Sequence, residues 1–98
     1  MQGVSRAELK AKKILERYSR NFISRRDGHV IIKINDSGKT VTVWIRQRPI
    51  TREALELFEK IIKKHEYDKL VLLKLYTEAD YVKYEDLKTF NEIKINEY

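Results

Sequence analysis

The side chains with the clearest chemical potential lie close together in the chain. In Thr40-Val41-Thr42-Val43-Trp44-Ile45-Arg46 the lone tryptophan and an arginine are two positions apart, so a strand would place both on one face. With Arg48 just beyond and Lys33 on the neighbouring strand, that face could stack an indole on a base or sugar and bring cations to phosphate. Stacking of this kind is worth roughly 1–3 kcal/mol per base. Trp44 equally suits the core beneath a helix, or the anchor of a dimer interface, where tryptophan is enriched.

A second set is purely electrostatic. Arg6, Lys10, Lys13, Arg17 and Arg20 recur by steps of four and three, which lines them up along one stripe of a helix and makes them repel one another. With Arg25 and Arg26 they form a candidate row of phosphate contacts, of the sort that positions a protein without reading sequence. The plain alternative is a solvated helix face. His29 and His65 stand apart from other metal-ligating types, which points to surface or helix-end roles. Glu78, Asp80, Glu85 and Asp86 lack the spacing of a calcium loop and read as capping and solvated positions. No Gly-rich phosphate loop and no Ser/His/Asp set is discernible, so no metal and no cofactor is expected.

These groups need elements to hold them. Ser5-Arg6-Ala7-Glu8 is a capping box that opens a helix, and Ala7, Ala11, Ile14, Leu15, Tyr18 and Phe22 form its apolar stripe. Arg25-Arg26-Asp27-Gly28 reads as a turn. Val30 to Ile34 and Thr40 to Ile45 are β-branched runs separated by Asn35-Asp36-Ser37-Gly38-Lys39, the pattern of a hairpin. Thr51 is an N-cap, with Ile50 and Leu55 as a hydrophobic staple, for a helix from Arg52 to His65. Lys69 to Tyr76 is apolar in its middle without alternation, as in a strand buried on both faces. Strand, helix and buried strand make a crossover unit, so those two strands should be parallel. A short helix with Tyr81, Tyr84, Leu87 and Phe90 inward and an edge strand around Ile93 and Ile95 complete the order α-β-β-α-β-α-β. The fold class is thus α/β, of the α+β kind with a mixed sheet, in a single domain over residues 1–98.

Composition sets outer bounds. Hydrophobic residues make up 42% and charged residues 37% of the 98, a balance that favours a folded domain over disorder. Cysteine is absent, so thiolate metal sites and disulfides are ruled out and an intracellular, cytoplasmic setting is expected. No apolar run is long enough to cross a membrane. High Lys, Glu and Ile with one Pro is a pattern seen in thermophile proteins. The net charge of +6 is unevenly spread: residues 1–30 carry eight basic and three acidic groups, and residues 65–98 carry five basic and eight acidic. A basic face toward a polyanion follows from that asymmetry.

The order of elements, together with Gly38-Lys39, Trp44-Ile45-Arg46 and Ile50-Thr51-Arg52-Glu53-Ala54, resembles the restriction-endonuclease-like superfamily, especially its Mrr-type and Holliday-junction-resolvase-like branches. In that family a hairpin follows a helix, its second strand ends in Glu-x-Lys or Gln-x-Lys, and a helix then leads to a buried strand. An acidic residue on the first hairpin strand and the Glu or Gln bind a divalent metal, while the Lys assists the attacking water. Aligning Gly38-Lys39 with the family's Gly-Lys turn puts Trp44 at the Glu/Gln position and Arg46 at the Lys position. The family's Asp falls near His29 to Ile31, where no carboxylate occurs, with Asp27 and Asp36 a few residues away. Hard cations need oxygen ligands, so the resemblance implies a degenerate active site.

The resulting expectation is a noncatalytic nucleic-acid-binding protein. DNA is favoured over RNA through the resemblance alone, and a homodimer is an open possibility. An assembly module using the Trp44 face as a subunit interface is the alternative, and a metal-dependent nuclease the third reading.

Overall fold

The computed structural model describes residues 5–18, 22–26 and 29–95, with Arg26 through its backbone only. The elements are helix α1 (Arg6–Leu15), strands β1 (Phe22–Arg26), β2 (His29–Asp36) and β3 (Lys39–Arg46), helix α2 (Arg52–Ile62), strand β4 (Lys69–Lys74), a single 3-10 turn (Tyr84–Leu87) and strand β5 (Glu92–Ile95). The strands form one five-stranded sheet in chain order. β1, β2 and β3 pair antiparallel, and β4 and β5 add in parallel. The mixed α+β class expected from the sequence is the class observed.

The hairpin of β2 and β3 is sharp for a local reason. Asp36 pairs with Lys39, leaving Ser37 and Gly38 as a two-residue turn with φ of 55° and 83°. Positive φ at both positions is what a strand-compatible tight turn demands, and glycine meets it without a Cβ clash. The Asn35 side chain accepts from the Gly38 amide at 3.2 Å, which fixes the turn further.

Alternation then sorts the side chains onto two faces. Val30, Ile32 and Ile34, Val41, Val43 and Ile45, and Val71 and Leu73 form one face, covered by Ala7, Ala11 and Leu15 of α1. Ile31, Trp44, Leu70 and Leu72 form the other, packed against Leu55, Phe58 and Ile62 of α2 and against Leu87 and Phe90. β2 and β4 are buried on both faces, as their unbroken apolar runs predict. Both helices start at predicted caps: Ser5 Oγ accepts from the Glu8 amide at 3.2 Å, and Thr51 Oγ1 from the Ala54 amide at 3.1 Å. Ile50 lies fully buried in the cluster that holds Leu55.

The structure departs from the expected order in two places. The first helix ends at Leu15, and Phe22 to Arg26, expected as helix end and turn, form the additional strand β1. Phe22 lies four residues after Tyr18, so its spacing suits a helix. Pairing with the open edge of β2 satisfies backbone groups that a longer helix would leave there. A bulge between Phe22 and Ser24 adapts the register. Asp27 and Gly28 of the expected turn lie outside the described residues. The third expected helix is reduced to the 3-10 turn, and Tyr81 and Tyr84, expected inward, are 77% and 70% exposed. Leu87 and Phe90 supply the buried side of that segment, with half-buried Val82 packed beside them. The second helix also stops at Ile62, one turn short of His65.

Candidate nucleic-acid interface

The strand face that holds Trp44 is closed. Trp44 is fully buried, as is Phe58, and the indole stacks on that ring beneath α2. Phe90 completes the aromatic group at 6.1 Å from Trp44 and 5.3 Å from Phe58. The indole Nε1 donates to His29 Nδ1 at 3.2 Å. This corrects the expectation of an exposed stacking residue: α2 and Phe90 pack over this face of β3, so the indole cannot reach solvent. The same burial removes Trp44 as the anchor of a subunit interface. His29, expected at the surface, is buried beside it as its hydrogen-bond acceptor.

Arg46 is likewise held inward, with only 8% of its surface exposed. Its Nε donates to the Arg48 carbonyl at 3.0 Å and its Nη2 to the Pro49 carbonyl at 2.9 Å. The guanidinium carbon lies 5.6 Å from the centre of the Trp44 ring. Burial pushes its pKa down from the usual guanidinium range, and the proximity of Tyr76 and Asp80 partly offsets this. Arg46 therefore shapes the link from β3 to α2 and does not present its charge to a phosphate. Arg48 is exposed in that link, and Lys33 is half-buried at the far end of the α2 face, opposite Thr42.

Next to Arg46 stands a polar cluster around Asp80, whose side chain, expected at a solvated position, is only 8% exposed. Asp80 Oδ1 accepts from the Ile50 amide at 2.9 Å and from the Tyr76 hydroxyl, and Oδ2 pairs with Lys74 Nζ at 2.5 Å. Burial by itself would raise the Asp80 pKa. The Ile50 amide, Lys74 and Tyr76 outweigh burial and hold the carboxyl below its ordinary range. Burial, then the neighbouring Asp80, pushes the Tyr76 phenol well up. With every partner in place, the cluster fastens the segment after β4 to the start of α2. From the sequence Asp80 reads only as a capping or solvated position, and its partner Ile50 is thirty positions distant. Asp68 and Asn91 make comparable backbone clamps at the starts of β4 and β5.

The basic stripe fares differently. Lys13 and Arg17 are exposed and Lys10 half-buried, and all three line a groove of about 520 Å3 on the α1 face. Its other wall carries Lys69 of β4 and Glu92 and Lys94 of β5, and its floor includes Val41, Val43, Val71 and Leu73. The groove exists because α1 packs on β2 and β3, leaving the same face of β4 and β5 less covered. Arg6, at the other end of α1, donates to the Leu75 carbonyl at 3.2 Å. Arg25 sits on β1, where its Nη2 reaches Glu8 Oε2 at 2.7 Å over the Phe22 ring. That bond chiefly holds the Glu8 carboxyl below its usual range. Arg20 lies outside the described residues, and nothing of the Arg26 side chain is described.

Compared with family models, curated proteins and solved structures, the chain matches none. Among the described residues no three His, Cys, Asp or Glu side chains gather so as to hold a metal ion, and no helix is long and apolar enough to cross a membrane. At the positions that the endonuclease resemblance assigns to metal and water chemistry stand a sealed indole and a guanidinium bonded to backbone carbonyls.

Proposed function

We propose that this chain is a noncatalytic nucleic-acid-binding protein that meets phosphates through the basic side of α1 and the groove beside it. One observation carries the reading: Lys10, Lys13 and Arg17 share one wall of a groove whose opposite wall also bears Lys69 and Lys94. Cations on two walls favour a polyanion that runs between them. The succession of α1, the β2–β3 hairpin, α2 and β4, with β1 added between the helix and the hairpin, is compatible with a degenerate restriction-endonuclease-like core, and that resemblance alone favours DNA over RNA. The compartment in this reading is the cytoplasm.

The test is anisotropy of labelled DNA at two salt concentrations, with the triple variant Lys10→Glu, Lys13→Glu, Arg17→Glu beside the parent chain. Binding should weaken steeply with salt, and the variant should lose affinity for all sequences alike. Each lost phosphate contact should flatten the salt slope by about 0.9 for duplex. Unchanged binding by the variant would exclude α1 as the contact. Plasmid cleavage with Mg2+ or Mn2+ that disappears with chelator would favour the nuclease reading instead.

A further inference from the structure

We propose that the groove between α1 and β5 takes one unpaired strand of nucleic acid, its phosphates against the two walls and its bases over the aliphatic floor. The inference deepens the reading above and rests on it.

The walls suit a backbone that runs lengthwise. Lys10 and Lys13 lie one turn apart on α1, and Arg17 follows in the turn just beyond its last residue, so the three run on in one direction. A row of that kind meets successive phosphates better than it meets a single anion. Across the groove Glu92 is shared by two lysines, Lys69 at 3.6 Å and Lys94 at 3.3 Å, so that wall also keeps a positive excess. Glu16 and Asp36 line the groove too, against five cations.

The floor decides between one strand and two. A duplex shows sugar and phosphate to its surroundings and hides the base faces, so aliphatic side chains beneath the cations would gain little from it. Unpaired bases have apolar faces to set against the narrow edges that Val41, Val43, Val71 and Leu73 leave uncovered in the groove, each no more than 7% exposed. Tyr18, half-buried three residues beyond the end of α1 and packed on one side against the core, also lines the groove and offers the rest of its aromatic ring for stacking, the usual platform for single strands. A volume of about 520 Å3 falls within the roughly 300–1,000 Å3 of clefts that enclose small organic ligands.

The experiment is a methyl-resolved NMR titration of the intact chain with a single-stranded DNA oligonucleotide, the duplex of the same sequence, and a Glu-rich amphipathic peptide. Anisotropy is followed in parallel for the parent and for Tyr18→Ala. The single strand should bind several-fold tighter than the duplex and shift the Val43, Val71 and Leu73 methyls. Tyr18→Ala should weaken single-strand binding about tenfold with duplex binding unchanged. Equal binding of both DNA forms without movement of those methyls would overturn the groove as the site and leave the phosphate-contact reading standing. Binding of neither form would overturn both. Shifts of the same methyls with the peptide and none with DNA would assign the groove to a protein helix and overturn the proposal.

Discussion

The Trp44 indole lies flat on the Phe58 ring, their centroids 4.2 Å apart and their planes 6° from parallel. One ring comes from the central strand and the other from α2, so this contact locks helix to sheet.

Trp44→Ala should therefore destabilise the fold by about 3–5 kcal/mol, the usual loss for a large aromatic removed from a packed interior. Urea unfolding measures it. Since Trp44 is the sole tryptophan, its fluorescence in the parent chain should resist iodide quenching until the chain unfolds. DNA should leave its emission unchanged. Ready quenching in the native state would contradict the buried stack.

Asp80 should matter more at neutral than at acid pH. Its folded pKa lies below the ordinary 3.8, so the stability it gives is full above that ordinary value and is lost as pH falls through the lower folded one. Asp80→Asn, which leaves the nearly buried Lys74 without its anion, should cost about 3 kcal/mol at pH 7. The gap between variant and parent in urea midpoint should shrink toward pH 2. An equal gap at both pH values would contradict the assignment.

Arg46 is not replaceable by lysine. Its planar group reaches two carbonyls at once, those of Arg48 and Pro49, which a single ammonium cannot match in direction. Arg46→Lys should lower stability by about 1–3 kcal/mol, the cost of a buried group left unsatisfied. Under the proposed nucleic-acid-binding function, affinity per folded molecule should not change, because that charge faces inward. Anisotropy below the unfolding transition checks the second half of this expectation.

Periodicity made most of the sheet legible. The β2–β3 hairpin, the Thr51 cap of α2 and the doubly buried β4 all declare themselves locally, through turn chemistry, a capping hydroxyl and an unbroken apolar run. β1 did not, since five residues with a bulge carry no clean alternation and Phe22 also fits the spacing of α1. The basic stripe was visible as a stripe, yet the groove beside it was not. Its second wall comes from Lys69 and Lys94, which only the parallel pairing of β4 and β5 brings across from α1. Trp44 illustrates the opposite failure. Alternation gave its face correctly, but whether that face meets water depends on α2 and Phe90, which lie far along the chain. The Asp80 cluster was illegible for the same reason.

Because the strands lie in the sheet in the order in which they occur in the chain, each one joins an edge left by its predecessor, and no strand has to be threaded between two others. Contacts close in sequence, those of the β2–β3 hairpin, can form first, and the parallel pairings of β4 with β3 and β5 close longer loops and follow. The natural starting point is the β2–β3 hairpin with its two-residue turn, and the last addition is β5. Gly38→Ala should then slow refolding, whereas Ile93→Val should chiefly hasten unfolding, a contrast that stopped-flow measurements on the two variants would read directly.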